Sequence, residues 1–180
     1  MNKEMIFAGF GGQGVMLMGQ ILAYAGMLEG QQVSWFPAYG PEMRGGTANC
    51  SIIIGDEPVG TPIVTEPSVV VAMNLPSLDK FEPMLHADGT LLINSSLIDR
   101  KPHRTDIKTY YVPCNDIAQE LGNLKVANMV MVGAIIAASG VVDIDSVISV
   151  LAKKIFKNKP QVMPINEQAI RRGLECVTGK

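Results

Sequence analysis

Two short segments contain the residue types that could do chemistry. The first is a glycine loop at 9–14, with the sequence GFGGQG, and the second is PAYGPEMRGG at 37–46. Neither suits a packed core, and backbone constrained by glycine and proline often holds main-chain groups against a ligand or partner. The candidate contact residues are Gly9, Gly11, Gly12, Gln13 and Gly14 in the first segment and Tyr39, Gly40, Pro41, Glu42, Arg44, Gly45 and Gly46 in the second.

The glycine loop matches the first half of a dinucleotide-binding fingerprint. Gly9, Gly11 and Gly14 follow the spacing G-x-G-x-x-G between a predicted strand and a predicted helix, where main-chain N–H groups can approach a pyrophosphate. The fingerprint also needs an acid after the second strand, but that strand ends Trp-Phe-Pro-Ala at 35–38. A tight turn packed on a neighbouring chain explains the glycines equally well. Gln13 adds an amide that both donates and accepts, so we predict a contact site whose ligand stays open.

The second segment combines backbone restriction with a charge pair. Gly40-Pro41 limits the chain on both sides, and Gly45-Gly46 lets it turn into the following strand. A solvent-facing turn would explain these residues, but not the arrival of Tyr39, Glu42 and Arg44 beside them. The pattern therefore favours a functional or interface role.

The elements that must position these loops alternate between strands and helices. Strands are predicted at 5–8, 32–36, 47–54, 69–73, 90–94 and 108–112, and helices at 15–28, 77–85, 116–121, 126–138, 143–156 and 166–175. Residues 47–64 are predicted to form a hairpin, and 99–104 a solvated charged connection. The alternation predicts an α/β fold: one domain over 1–180, with three αβα layers around a central, largely parallel or mixed, Rossmann-like sheet.

Composition narrows the class of partner and compartment. The net charge of −2 argues against nucleic acid or an anionic membrane as a partner. The longest apolar stretch, 126–138, is too short to span a bilayer, and the start of the chain does not read as a signal peptide. Three widely spaced cysteines exclude a local zinc finger or ferredoxin motif and fit a reducing cytoplasm, so we predict a cytoplasmic protein. Eleven methionines fit either a methionine-rich core or a surface that packs against partner subunits.

The two loops, in this order, resemble the γ subunit or γ domain of the 2-oxoacid:ferredoxin oxidoreductases. The resemblance continues through Lys-Val-Ala-Asn-Met at 125–129, Gly133, Asn-Glu-Gln-Ala at 166–169 and Gly173, and so covers essentially the whole chain. In this family the enzyme cleaves a 2-oxoacid, transfers the acyl group to coenzyme A, releases carbon dioxide and reduces ferredoxin.

The resemblance also implies where the cofactors are. Thiamine diphosphate and Mg belong to the α and β chains, and iron–sulfur clusters to the β chain or a ferredoxin-like δ chain. This chain has no cysteine cluster and no Gly-Asp-Gly segment followed by an asparagine that would hold the diphosphate through Mg. We therefore expect no catalytic residue, metal or cofactor on this chain alone, with coenzyme A binding in the assembled complex. The implied partners are the α, β and δ chains and ferredoxin; a homo-oligomer of the isolated chain stays open.

The resemblance further suggests what an accessory chain does. As a hypothesis, the Tyr39 to Gly46 loop faces the α/β active site and covers the entrance for coenzyme A, with Arg44 contacting anionic groups and the 9–14 loop beside it. The alternative is that both loops only pack subunits together. A free-standing chain of this length looks most like the 2-oxoglutarate members, although branched-chain 2-oxoacid, pyruvate and indolepyruvate members share these loops.

A different class of function is a free-standing dinucleotide-binding oxidoreductase. It would need the missing acid and a proton donor, and neither histidine supplies an obvious one. His86 and His103 are expected at the surface, because neither lies in a recognised motif. A scaffold without contact to an active site is a third interpretation.

Overall fold

The computed structural model describes residues 1–38 and 48–179 of the chain. Its strands are β1 (Lys3–Gly9), β2 (Gln32–Ala38), β3 (Ala48–Gly55), β4 (Val69–Ala72), β5 (Thr90–Asn94) and β6 (Lys108–Val112). Its α-helices are α1 (Val15–Leu28), α2 (Leu75–Phe81), α3 (Cys114–Glu120), α4 (Ala127–Ser139), α5 (Ile144–Val150) and α6 (Met163–Thr178). Short 3-10 turns cover Glu82–Met84, Leu124–Val126 and Pro160–Val162.

The six strands form one mixed sheet in the order β2-β3-β1-β4-β5-β6. β1, β4, β5 and β6 are parallel, and β3 runs antiparallel to both β1 and β2. Five strands therefore share one direction, and only β3 is reversed. We call the edge at which those five strands end the carboxyl edge of the sheet.

Helices cover both faces of this sheet, as the sequence predicts, but unequally. Met5 and Phe7 of β1 point into a large core that includes residues of α1, α3, α4, α5 and α6. Ile6 and Ala8 of the same strand point into a smaller core covered by α2. This alternation is the period-two pattern of a strand buried on both faces. The three-layer α/β prediction is confirmed.

The predicted hairpin at 47–64 is wrong. β3 instead lies between β2 and β1, with Ile52 opposite both Trp35 and Met5, and residues 56–68 contain no strand. The turn after β3 is tied to the start of β1, because Glu57 N–H donates to Asn2 Oδ1 and Asn2 Nδ2 donates to Glu57 O, each at 3.0 Å. An isoleucine-rich run buried on both faces suits a central strand better than an edge hairpin.

Five of the six predicted helices have different bounds: α3, α4 and α6 differ by one to three residues at each end, and α2 and α5 differ more at their C-termini. The helix expected from residue 77 begins at Leu75, because Asn74 Oδ1 accepts from Ser77 N–H at 2.9 Å and proline is tolerated in a first turn. The helix predicted over 143–156 ends as α at Val150 and continues as a π-helical turn, Leu151–Ile155. Asp143 does not cap α5 with its side chain.

The charged connection at 99–104 is fixed to α2 rather than fully solvated, which corrects the sequence prediction. Glu82, only 2% exposed, accepts from Arg104 N–H at 2.8 Å and from Arg100 at 3.4 Å. Arg100 also pairs with Asp79 at 2.6 Å. A buried carboxylate needs such partners, because an unpaired charge in the interior is very costly.

α4 and α6 cross at a contact between two glycines. A Cβ on Gly133 would lie 1.8 Å from Ile170 O, and one on Gly173 would lie 1.7 Å from Val130 O. No side chain fits in either place, so the two helix backbones touch directly. This crossing sets the position of α4, whose first turn lies at the carboxyl edge of the sheet.

Replacing Gly133 by alanine should strongly destabilise the fold. Helix propensity alone would favour alanine by about 1 kcal/mol, but the clash with backbone should cost about 3 kcal/mol or more. Urea denaturation measures the difference. The matched control is Gly60→Ala, where a Cβ meets nothing within 4 Å, and it should stay within about 1 kcal/mol of the parent. Equal stability of the two variants would contradict the close crossing.

The three cysteines are free thiols, and burial lowers the reactivity of each to a different degree. Burial raises the pKa of the Cys50 thiol to about 12, and burial also raises the pKa of Cys114 and of the half-buried Cys176. A raised pKa leaves less thiolate at a given pH, and thiolate is the reactive form.

A thiol reagent at about pH 8 should therefore label Cys176 slowly in the native chain, and Cys50 and Cys114 only after denaturation. The labelling rate of Cys176 should rise with pH, because deprotonation increases towards its raised pKa. Mass spectrometry of time points identifies the labelled residue. Rapid native labelling of all three thiols would show that the core is not packed as described.

Candidate functional site

The loops that leave the carboxyl edge meet at one place. The glycine loop follows β1, Met73 and Asn74 follow β4, and Asn94 is the last residue of β5. Asn115 lies in the first turn of α3, which follows β6. Three asparagines therefore stand at successive strand ends. Ligands of parallel α/β sheets bind outside this edge.

Asn94 joins three of these strand ends through one buried amide. Its Nδ2 donates to Asn115 Oδ1 at 2.9 Å and to Met73 O at 3.4 Å. Its Oδ1 accepts from the N–H groups of Ser96 and Cys114, each at 3.3 Å. The Asn94 side chain is 0% exposed, so its hydrogen-bonding capacity is satisfied within the protein.

Gln13 fastens the glycine loop to the end of β4. Its Oε1 accepts from Phe10 N–H at 2.6 Å, and its Nε2 donates to Met73 O at 3.1 Å. A Cβ on Gly9 would lie 2.6 Å from Gln13 Oε1, so the loop closes only over glycine. The amide considered from sequence as a ligand contact is thus occupied in holding the loop.

A cavity of about 300 Å³ opens between the glycine loop and the start of α4. It lies at the point where the sheet's connections diverge, since α1 after β1 covers one face and α2 after β4 covers the other. Such a switch point is the usual ligand position in open α/β sheets. The lining residues are Gly12, Gln13, Gly14, Met73, Asn115, Leu124, Lys125, Ala127 and Asn128.

The cavity lining is polar and apolar in about equal parts, and among its described residues Lys125 is the one charged side chain and none is a carboxylate. Gly14 adopts φ +73°, and a Cβ there would lie 2.3 Å from Asn128 Nδ2. The glycine loop and the first turn of α4 are therefore in direct contact. In the part of the chain that the structure describes, no group of three His, Cys, Asp or Glu residues could hold a metal ion.

The strand order differs from that of a dinucleotide-binding fold. There the second strand lies beside the first, so that its terminal acid reaches the ribose. Here β3 separates β1 from β2, which places β2 about 10 Å from β1 at two strand spacings. β2 also ends without an acid, at Ala38. Both features weigh against the dinucleotide alternative.

The second sequence motif lies largely outside the described residues. Tyr39, Gly40, Pro41, Glu42, Arg44, Gly45 and Gly46 are all in the segment 39–47. The residues that flank it are described: Ala38 ends β2, and Ala48 begins β3 as the register partner of Gly9. The segment therefore starts and finishes at the edge that carries the glycine loop.

Sequence reasoning missed the asparagines as site residues. Asn74, Asn94 and Asn115 each stand at or just after an apolar strand, and that position was the available signal. Asn128 entered only as part of the family resemblance. His86 and His103 are exposed, as expected. Of the described helices, none is long and apolar enough to cross a membrane.

Comparison with known sequences gives a family match over nearly the whole chain. The model for pyruvate ferredoxin/flavodoxin oxidoreductase matches residues 4–176. Ketoisovalerate oxidoreductase subunit VorA of Methanothermobacter marburgensis is 39% identical over 169 residues, which are 93% of this chain and 35% of VorA. The chain thus spans about a third of that relative. The 2-oxoglutarate synthase subunit KorC of the same organism is 34% identical over 186 residues, covering 98% of this chain and 97% of KorC.

Solved structures agree with this match. The γ subunit of a keto/oxoacid ferredoxin oxidoreductase from Geobacter sulfurreducens superposes with a TM-score of 0.86 at 28% identity, covering 99% of both chains. Subunit PORC of pyruvate oxidoreductase from Thermotoga maritima gives a TM-score of 0.77 at 30% identity, over 97% of this chain and 96% of that one. The chain therefore belongs to the pyruvate ferredoxin/flavodoxin oxidoreductase family, in which it corresponds to the γ subunit of 2-oxoacid:ferredoxin oxidoreductases.

Proposed function

We propose that this chain is the accessory γ subunit of a thiamine-diphosphate-dependent enzyme that converts a 2-oxoacid to an acyl-CoA and reduces ferredoxin. The observation that carries the proposal is the match with KorC, which extends over nearly the full length of both chains. Thiamine diphosphate, Mg and the iron–sulfur clusters would be held by α, β and ferredoxin-like δ subunits. This chain would supply contacts rather than catalytic groups.

The carboxyl edge is the surface that we assign to those subunits. Four large apolar side chains are exposed around it, each between 37% and 60%: Phe10, Leu75, Leu97 and Leu124. They lie in the segments that follow β1, β4, β5 and α3, and Leu124 also lines the cavity at the switch point. Several exposed apolar side chains on one surface are typical of a protein interface.

At this interface, the role that we propose for the chain is control of access. A reactive intermediate on the partner chains needs shielding from water and a defined entrance for coenzyme A. Of the described residues that flank the Tyr39 to Gly46 segment, Ala38 pairs with Asn49, and Ala48 pairs with Gly9 of the glycine loop. We infer that this segment covers the entrance and that Arg44 contacts an anionic group of coenzyme A.

For the substrate we propose 2-oxoglutarate. KorC is named as a 2-oxoglutarate synthase subunit, and its match with this chain covers 98% of this chain and 97% of KorC. The second candidate is ketoisovalerate, because VorA has the higher identity, at 39%. The length of this chain reflects how the enzyme is divided into subunits rather than which oxoacid it uses. The residues that select the oxoacid are expected on the α and β chains.

Purification of the tagged chain from its own cells should recover thiamine-binding and ferredoxin-like chains in equal amounts. The complex should reduce ferredoxin with a 2-oxoacid and coenzyme A, fastest with 2-oxoglutarate among 2-oxoglutarate, ketoisovalerate and pyruvate. If ketoisovalerate is the fastest substrate, the proposed substrate is wrong but the subunit assignment stands. A chain that purifies alone and binds a nicotinamide dinucleotide would contradict both.

Two leucines test which surface forms the interface. Leu97 lies at the carboxyl edge and is 50% exposed, while Leu28 ends α1 towards the opposite edge and is 60% exposed. Leu97→Ser should weaken subunit association about tenfold, which corresponds to losing most of one buried leucine. Leu28→Ser should leave it unchanged. Equal effects in a titration of γ chain against the other subunits would remove the carboxyl edge as the interface.

Arg44→Ala separates the entrance role from packing. If Arg44 contacts coenzyme A, the assembled variant should show a KM for coenzyme A raised about tenfold, because a charge-assisted contact is lost. The KM for the oxoacid should stay unchanged. Loss of assembly, measured by size-exclusion chromatography, would instead favour a packing role for the segment.

A further inference from the structure

A groove of about 200 Å³ lies between α1 and α5, away from the carboxyl edge. We call it the α1/α5 groove, and its lining residues are Tyr24, Met27, Leu28, Ser149, Val150, Lys153 and Lys154. α1 follows the glycine loop at the carboxyl edge, and β2 begins at the opposite edge soon after α1 ends. Met27 and Leu28, in the last turn of α1, therefore lie towards that opposite edge. The groove is separate from the surface that we assign to the other subunits.

The two helices that form the groove are antiparallel. Asp143 N–H, just before α5, donates to Glu29 Oε1, just after α1, at 2.7 Å. Lys154, in the π-helical turn that continues α5, lies with its ammonium 4.8 Å from the centroid of the Tyr24 ring. α5 thus begins at the end of α1 and returns along it. Two packed helices leave a groove along their contact in which a third helix can pack.

The α1 wall of the groove exposes three large apolar side chains. Tyr24 is 37% exposed, Met27 61% and Leu28 60%. Their spacing of three and four residues places them on one face of the helix. Apolar side chains that gather on one surface are typical of a binding site for another molecule, and methionine adapts to partners of different shape.

The α5 wall is basic. Lys153 and Lys154 line the groove from the π-helical turn Leu151–Ile155, a feature that is common at functional sites, and none of the described lining residues is a carboxylate. The carboxylates of this helix pair lie near the start of α5: Asp145 is in its first turn, and Glu29 accepts from Asp143 N–H. Lysines at the end of a helix also stabilise its dipole. That effect does not explain the exposed apolar wall opposite them.

We propose that the α1/α5 groove binds an acidic amphipathic helix of a partner protein. Apolar side chains on one face of that helix would pack on Tyr24, Met27 and Leu28, and carboxylates along its flank would pair with Lys153 and Lys154. Charge complementarity selects this occupant, because a basic helix, or the same groove of a second copy, would bring like charges together. The concave shape suits a helix better than a flat anionic membrane. The proposal does not rest on the subunit assignment.

A synthetic peptide of about 18 residues, with leucines on one helical face and glutamates along both flanks, is the probe. Titrated into the ¹⁵N-labelled chain, it should shift the backbone amide signals of the last turn of α1 and of residues 149–154, and the shifts should saturate. A scrambled peptide of the same composition should not bind, because its leucines share no face. Absence of saturable shifts, or shifts confined to other parts of the chain, would overturn the proposal.

Met27→Ser tests the apolar wall. It should weaken binding of the acidic peptide about tenfold, which corresponds to losing most of one buried methionine. The matched control is Ile63→Ser, because Ile63 is 60% exposed in the connection between β3 and β4. This control should change the Kd less than about twofold. Equal effects of the two variants would show only unspecific apolar adhesion and overturn the proposal.

A charge swap tests the basic wall. The double variant Lys153→Glu with Lys154→Glu should lose the acidic peptide and bind a version in which lysines replace the glutamates. The control is Lys3→Glu with Lys108→Glu, two exposed lysines at the starts of β1 and β6, which has the same net charge. It should keep the preference of the parent chain. Loss of the acidic peptide in both double variants would show general electrostatic attraction and contradict a specific groove.

Two further measurements identify a different occupant. If the parent chain ignores the peptide but sediments with phosphatidylserine vesicles, and Met27→Ser abolishes this, the groove binds a membrane and the proposed helix is wrong. If the chain instead self-associates in sedimentation equilibrium and Met27→Ser makes it monomeric, the occupant is a second copy. Neither result bears on the subunit assignment. A purified complex without 2-oxoacid activity would contradict that assignment and leave the groove untouched.

Discussion

The common direction of five strands is the constraint on which the rest of this protein depends. Because β1, β2, β4, β5 and β6 all end at one edge, every functional loop begins there. The backbone N–H and C=O groups at these strand ends have no partner within the sheet, so they need hydrogen bonds from other groups. Asn94 supplies both within one buried amide, and Gln13 does the same for the glycine loop. The edge is therefore preorganised before any ligand or subunit arrives.

The crossing of α4 and α6 positions the first turn of α4 at the carboxyl edge. Gly133 and Gly173 let α4 and α6 touch through their backbones, which fixes the axis of α4. The first turn of α4 then meets the glycine loop, where Gly14 leaves no room for a side chain beside Asn128. The close crossing of α4 and α6 therefore helps to place Asn128 in the cavity lining.

The carboxyl edge carries two kinds of side chain. Leu75 and Leu97, which follow the ends of β4 and β5, are exposed apolar residues that suit a protein partner. The cavity beside them is lined by the amides of Asn115 and Asn128 and by Lys125 together with apolar side chains. This edge is where we propose that the partner subunits bind.

Much of the local structure followed from the sequence. The helix at 15–28 and the strands at 90–94 and 108–112 have the predicted bounds, because their apolar periodicity and flanking glycines are local signals. The two loop motifs also indicated the family, which the comparisons bear out. The positions of Tyr39 to Gly46 stay a prediction. The local signals failed for β3, which looked like half of a hairpin.

What the sequence by itself determined was the set of elements and the family; what only the tertiary structure decided was their arrangement. β3 lies between β1 and β2 because its isoleucines need burial on both faces, and that choice depends on residues far along the chain. Asn94 bonds residues 21 positions away on either side, at Met73 and Asn115. Asn128 joins the cavity lining only because the folded chain brings the start of α4 against the glycine loop. Hydrogen-bond satisfaction is a property of the folded neighbourhood, and no local pattern records it.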